Sequence, residues 1–386
     1  MTTEAAAGSM LQTAAAPPNG ETDQSKQEVR PMRRRLATLA AAASMLALLV
    51  PVASVSAESA IHVRPGHSIQ AAIDSAPAGG VIHVARGTYP GNLEIARSVH
   101  LIGDHAVIVP AAADNWCLAD FAFDYKKVGI CVHGAIDFET GVITPISDVS
   151  IEGFTVRDFG GPGIVALGVD GFGAVRDVTA NDGMGMYLNT VSNISLLDNR
   201  VYRSGGDGLF LENSSASAVV TGNTLYDNLG SGIMFINSLG GRITSNDLRG
   251  NCAGIVVASV AIYGPDSAPP SGDVSIQRNQ VTSNNRLCPE VPYQTPAYGG
   301  IGIVLIGARN TIVERNDVRN NRTQSGSAIH GGGIVLLDGL IFGAAAPTGN
   351  SIRLNHLSGN TPYEIFCDGS GTLNTVSGNS GSYSGC

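Results

Sequence analysis

The 386-residue chain carries 32 acidic against 23 basic side chains, so it has no electrostatic footprint for nucleic acid. Only 14% of its residues are charged and 5% aromatic, while 49 are glycine. That composition, with Val, Ile, Thr, Ser and Asn filling short runs between polar turns, speaks for strands and turns over helices.

Residues 1–31 read as a polar, Ala/Pro/Gly-rich disordered leader, or as a stretch upstream of the true start at Met32. Met32 to Arg35 forms a basic n-region and Leu36 to Val50 an apolar h-region. The small residues Val55, Ser56 and Ala57 then precede Glu58, so 32–57 is expected to be a secretory signal cleaved after Ala57. No stop-transfer pattern follows, so no stable membrane anchor is expected after cleavage. Removing 1–57 leaves 18 basic and 28 acidic residues (23 − 5 and 32 − 4), a net of −10. Such a body repels an acidic glycan unless its arginines cluster locally.

Residues 58–386 are expected to form one domain. Ser68 can N-cap a short amphipathic helix with Ile69, Ala72 and Ile73 on one face, capping an open end of strands. Strand-like runs follow from Gly80 to Gly103. Residues 110–147, an insertion with the only Trp (Trp116) and two cysteines, are longer than a connection requires. Further insertions fall at 258–273, 286–298, 322–330 and 339–349.

From Phe154 to Ser377 one pattern repeats: a β-prone run, Asn-x-apolar, a polar turn, then Gly and an apolar strand. The strand-opening glycines Gly163, Gly185, Gly208, Gly232 and Gly254 are spaced 22, 23, 24 and 22 residues apart. That period fits one coil of a parallel β-solenoid, which buries its inward side chains only by stacking on neighbouring coils. Asn199, Asn223, Asn246, Asn279, Asn316 and Asn355 fill one slot, two residues before an inward Val or Leu. Asn tolerates the left-handed turn conformation, and its amide can bond to the Asn one coil away. The strand after each Gly should point Met186, Leu188, Leu209, Leu211, Ile233 and Phe235 inward. The outward column then reads Val165, Tyr187, Phe210, Met234, Val256, Val304 and Val335. So apolar a column is either covered by the insertions or serves as a groove or interface.

Six cysteines in an exported chain favour disulfides. The coil alignment lets Cys252 meet Cys288 across one step. Cys117–Cys131 would close a local loop, and Cys367–Cys386 would tie down the tail. No Cys-x-x-Cys spacing supports a metal site.

The segment from Pro65 through Tyr89 resembles the cap and first coil of the pectate-lyase-like right-handed parallel β-helix superfamily. The later coils resemble its NosD-type and PbH1-repeat members. The resemblance implies an all-β, single-stranded right-handed parallel β-helix of about 22–24 residues per coil with a short N-terminal capping helix. It spans lyases, hydrolases, esterases, epimerases and non-catalytic proteins. The catalytic motifs of polygalacturonases, pectate lyases, pectin methylesterases and alginate epimerases are missing, so no catalytic residue carries over.

Alignment on the glycines puts Asp158, Asp182, Asp207 and Asp227 in one turn of successive coils, with Arg157, Arg203 and Arg249 at the preceding strand ends. Asp182 and Asp207 are thereby the candidate acid/base pair, with Arg203 catalytic beside them. Tyr187, Asn189, Phe210, Glu212, Arg157, Asp158 and Asp227 are candidate substrate contacts. Asp182 and Asp207 could equally hold Ca²⁺, and each aspartate alone could be a turn residue. The expected function is secreted carbohydrate chemistry by a lyase, epimerase or glycosidase, on a carbohydrate or other extended ligand. The alternative is a non-catalytic binding or assembly protein using the apolar outward face. His133 and His330, expected in loops, and His356 carry no catalytic assignment.

Overall fold

The computed structural model describes residues 60–111, 127–137, 142–214, 217–261, 270–290 and 296–386. The leader, the signal segment, Trp116 and Cys117 lie outside them. The helix forms at Ile69–Ser75, with the Ser68 hydroxyl accepting from the Ala71 N–H at 3.1 Å and with Ile69, Ala72 and Ile73 buried.

The strands stack in parallel as three faces. The glycine face holds the strands that follow the repeating glycines: 164–167, 186–189, Leu209–Glu212, Ser231–Ile236, Ala253–Ala258, Ile301–Ile306 and Gly332–Leu337. The second face runs through 169–175, 191–197, Val219–Thr221, Leu239–Thr244, Gly272–Gln277, Ile312–Glu314 and Ser351–Arg353. The third holds three-residue strands such as Arg200–Tyr202, Thr224–Tyr226 and Asp247–Arg249. Met186, Leu209, Ile233, Ile255, Ile303 and Ile334 stack in register inside one continuous core. Close stacking requires glycine where a strand opens. A Cβ on Gly185 would stand 2.2 Å from Val201 Cγ1 and 2.4 Å from the Gly208 carbonyl oxygen.

The asparagine ladder forms. Each Nδ2 donates to the Oδ1 of the next rung: Asn199 to Asn223 at 3.0 Å, Asn246 to Asn279 at 2.9 Å, and Asn316 to Asn355 at 2.9 Å. The backbone detail differs from expectation. The left-handed residue is the one before the ladder Asn, namely Asp198, Gly222, Ser245, Arg278, Arg315 and Leu354. The asparagine side chain therefore acts as the inward hydrogen-bonding group of the corner, and its neighbour makes the turn. A second ladder joins Asn228, Asn251, Asn284, Asn321 and Asn360 at the next corner.

Asp177 occupies the rung before Asn199. Its N–H donates to Asn199 Oδ1 at 3.0 Å, and its Oδ1 accepts from the Phe154 N–H at 2.8 Å. Its Oδ2, in the slot that holds the amide nitrogen of every later rung, is buried without a hydrogen-bond partner.

The 110–147 insertion is partly built into the coils. Ile130–His133 is a strand of the glycine face, pairing Leu93–Ile95 and 164–167, so His133 ends a strand instead of lying in a loop. Ala135–Ile136 and Ile143–Thr144 form a small antiparallel pair. In the insertion at 339–349, Gly339–Phe342 is a 3₁₀ turn capped by Asp338.

Candidate functional site

The outward column of the glycine face is in the expected register but is not an open surface. Val165, Phe210, Met234, Val256, Val304 and Val335 are all buried in a second hydrophobic cluster. Cys288, Tyr298 and Ile329 from the insertions join that cluster, with Val260 and Phe342 packed on it. An uncovered apolar ladder would expose far more hydrocarbon than a soluble chain tolerates. The chain covers it, so this column is not free for a partner.

Polar residues interrupt the apolar column at Tyr187, Asn189 and Glu212. Register pairs Tyr187 with Phe210 and Asn189 with Glu212 across one coil step. The Tyr187 hydroxyl donates to Glu212 Oε2 at 2.6 Å. Asn189 Nδ2 reaches the same oxygen at 3.0 Å and the Tyr187 hydroxyl at 2.7 Å. The exposed Thr190 hydroxyl donates to Asn189 Oδ1, so the cluster meets solvent at this margin. Glu212 is 9% exposed, and its partners are neutral. No described cation pairs with it. Phe210 stacks at a tilt against Tyr187, with centroids 5.3 Å apart.

Asp207 lies on the opposite margin, in the slot just before a strand-opening glycine. Its column neighbour is Ser231, whose N–H donates to Asp207 Oδ1 at 2.5 Å. The Tyr298 hydroxyl lies 3.1 Å from Ser231 Oγ. The Cys288 N–H and Tyr298 carbonyl bond at 2.8 Å, and Cys288 is bridged to Cys252, so Tyr298 is fixed over this corner. Burial pushes the Asp207 carboxyl up to about 6, against the Ser231 N–H and hydroxyl, which favour its charged form. Burial and the Asp207 charge together push the Tyr298 phenol upward. A carboxyl raised in the folded state adds stability at pH values below its unfolded value near 4. That stability is lost as pH rises towards 6. Asp207→Asn should therefore melt higher than wild type at pH 7–8, by on the order of 2–3 kcal/mol, and no higher at pH 4. Thermal melts across that range check this, and an equal difference at both ends would rule out Asp207 as the titrating group.

The remaining candidates scatter. Asp182 stacks on Gly205, where a Cβ would lie 1.7 Å from the Asp182 carbonyl oxygen. Asp158, Arg203 and Asp227 take left-handed corner positions. Asp158 pairs with Arg157, and Asp227 pairs with Arg286 at 3.7 Å. Arg249 pairs with Asp247. Counted back from the following glycine, Asp158 and Asp227 stand five residues before it, Asp182 three and Asp207 one, so the four share a turn without forming one row. Asp182 and Asp207 are not column neighbours. Among the described residues no three His, Cys, Asp or Glu side chains converge as a cation site. Five residues along an extended strand separate Asp207 from Glu212, roughly 16 Å between Cα atoms. That separation exceeds the roughly 5–9.5 Å between the paired carboxyls of glycosidases.

Residues 140–384 match the right handed beta helix region family. The chain belongs to the right-handed β-helix family. No curated protein matches the β-helix by sequence. Among solved structures it is similar to the A-module of the Azotobacter vinelandii mannuronan C-5 epimerase AlgE4. The TM-score is 0.52 at 18% identity, over 82% of this chain and 92% of that one. It is also similar to DFA-IIIase from Arthrobacter chlorophenolicus A6, without its lid and in complex with GF2. There the TM-score is 0.51 at 13% identity, over 82% and 94% of the two chains. At such identities the likeness is one of fold.

The β-helix carries disulfides at Cys252–Cys288, expected from the coil alignment, and at Cys367–Cys386, expected as a tie for the tail. Cys131 is also disulfide-bonded, and its expected partner Cys117 lies outside the described residues. The bridges mark an oxidising compartment, extracellular or periplasmic. Ser231 and Tyr298 escaped the sequence reading. Aligning the residue before each strand-opening glycine (Met184, Asp207, Ser231, Ala253) would have shown Ser231 beside Asp207. Tyr298 lies in an insertion whose fold no period specifies.

Proposed function

We propose that the protein is an exported, carbohydrate-active β-helix whose chemistry is proton transfer at Tyr187 and Glu212. The observation that carries this reading is a carboxylate removed from water and held by a tyrosine and an asparagine with no described counter-ion. Such a group costs stability and is retained where its basicity is used. In this reading Glu212 takes the phenolic proton as Tyr187 removes one from a sugar carbon entering at the Thr190 margin, and Asn189 holds both oxygens in line. A syn-elimination can use one such relay, the group that takes the carbon proton handing one to the leaving oxygen, whereas epimerisation needs a second donor on the opposite face of the ring. Two-carboxylate hydrolysis would need a partner nearer than Asp207. The fold shared with an epimerase and a DFA-IIIase supports carbohydrate as the substrate class by analogy.

Glu212→Gln keeps an acceptor for Tyr187 but cannot take its proton. On the glycan that wild type turns over, the rate should fall about 10²–10⁴-fold while the fold is kept. Unsaturated-product absorbance and NMR of the sugar protons read elimination and epimerisation, and reducing ends read hydrolysis. Unchanged turnover in Glu212→Gln would sink the relay. A wild type inert on uronate and neutral polysaccharides alike would leave the non-catalytic binding role. The burial of Tyr187, 2% exposed, is the observation on the side of that second reading.

A further inference from the structure

The second face carries a charge pattern unlike the rest of the molecule. Most exposed acids have an arginine of their own: Arg157 with Asp158, Arg176 with Glu152, Arg249 with Asp247, Arg319 with Asp317 and, on the second face itself, Arg309 with Asp273. On the outer surface of the coils from Leu239 to Arg353, besides the Arg309–Asp273 pair, four exposed arginines (Arg242, Arg278, Arg315 and Arg353) share the face with one acid, Glu314. Arg315 and Arg353 bond the two oxygens of the nearly buried Glu314, at 2.5 and 2.7 Å. Those two bonds, with the positive charge of Arg278 close by, hold the Glu314 carboxyl below its usual range. Glu314 is therefore satisfied and ionised. Among the described residues the guanidinium groups of Arg278 and Arg242 make no hydrogen bond or ion pair, and both side chains are exposed.

The placement is unfavourable for stability alone. Arg278 and Arg315 follow the paired residues Gln277 and Glu314, so they occupy the same corner slot of adjacent coils, about 4.8 Å apart. Both have positive φ, at 54° and 55°, a conformation better suited to Gly or Asn, and Gly222 and Gly378 fill equivalent corners. Two like charges stacked in a disfavoured conformation are a local conflict of the kind found at functional positions. The half-exposed Ser275, Gln277 and Ser351 lie between the arginines, so the surface is polar, flat and uncovered. The neighbouring acids Asp247 and Asp317 lie on the third face, each engaged by an arginine.

We propose that Arg242, Arg278, Arg315 and Arg353 form a binding surface for a segment of an acidic glycan, carboxylated or sulfated, lying along the coil axis. Guanidinium groups repeating at the coil spacing offer forked donors to successive anionic groups, and the serines and Gln277 suit sugar hydroxyls. A short acidic segment fits this local patch, whereas a long polyanion such as nucleic acid would meet the net charge of −9 on the whole chain. The surface lies on a different face from Tyr187 and Glu212 and does not depend on them.

The test is calorimetric titration of the intact protein with polygalacturonate oligomers, heparin oligosaccharides, neutral dextran and single-stranded DNA, at low and physiological salt. Wild type should bind at least one acidic glycan, more weakly as salt rises, and should ignore dextran. The double variant Arg242→Gln, Arg278→Asn leaves the Glu314 pairs intact. Its affinity should fall about tenfold or more, with an unchanged or higher melting temperature, because Asn suits the corner. A purely structural role for these arginines predicts the opposite, a lower melting temperature. No binding of either acidic glycan, equal affinity in the double variant, equal binding of dextran, or tighter binding of DNA would each overturn the proposal. Glu212→Gln should leave this binding untouched.

Discussion

Val201→Asp should abolish folding or lower the melting temperature by well over ten degrees, a loss of more than about 4 kcal/mol. Val201 is fully buried and stacks in register between Thr179 and Leu225. Its Cγ1 presses on the glycine strand of the same coil, where a Cβ on Gly185 would meet it at 2.2 Å. The neighbouring Thr179 hydroxyl could give one hydrogen bond but no charge, so the carboxylate would stay an uncompensated ion or would unfold the coil. Because each coil is buried only by its neighbours, the damage spreads along the stack. Val201→Thr, nearly the same shape, keeps the test readable if the aspartate variant is insoluble, and it should cost about 1–2 kcal/mol for burying a hydroxyl whose neighbour in register is that of Thr179. Asn189→Ala, at the margin of the glycine face, should cost far less. Thermal melts of the three proteins decide the matter, and equal losses for Val201→Thr and Asn189→Ala would contradict the interior placement of Val201.

Asp177→Asn is expected to stabilise the protein, which is rare for a fully buried position. Every later rung of the ladder offers an amide nitrogen where Asp177 offers an oxygen without a partner. Burial pushes this carboxyl well above its usual range. The N–H groups of Phe154, Val175 and Gly153 and the charge of Arg176 offset only part of that effect. In the folded protein the proton is therefore retained to higher pH than in the unfolded chain, and protonated Oδ2 can donate as the amide does. Stability from this group is complete below about pH 4 and is lost as pH rises through the folded value. The asparagine variant has no such slope and gains roughly 1–3 kcal/mol at pH 8 from a satisfied rung. Chemical denaturation of both proteins at pH 4 and pH 8 measures it. The expected result is near equality at pH 4 and a more stable variant at pH 8. A less stable variant at pH 8 would mean that the carboxylate is satisfied as an ion.

Much of the fold was legible because it is written as a period. The glycine spacing fixes the coil length, and the alternation after each glycine fixes which side chains stack inside. Both survive in the register of Met186, Leu209 and Ile233. The asparagine ladder was legible for the same reason, since a side chain repeated once per coil must stand beside its own copy. The second ladder was open to the same reading, as Asn223 and Asn228, Asn246 and Asn251, and Asn279 and Asn284 keep one five-residue spacing. That spacing measures a three-residue strand between two corners.

What the period could not determine lies in the corners and insertions. Asp207 stands one residue before its strand-opening glycine and Asp182 three before its own, so Asp207 meets Ser231 and Asp182 meets Gly205. Counting from the glycines yields those neighbours, but it cannot show that Tyr298 closes over the Asp207 corner, because hydrogen bonds made by an insertion, and not residue counts, decide what covers a turn. Covering of the apolar column was equally beyond the sequence. Tyr298 and Cys288 reach it from an insertion that owes its position to a disulfide and to one antiparallel pair of hydrogen bonds. Periodicity by itself determined a stacked β-helix with a fixed interior. Tertiary contacts alone decided which polar side chains are brought together on its outside, because local repeats specify direction while cross-coil packing specifies neighbours.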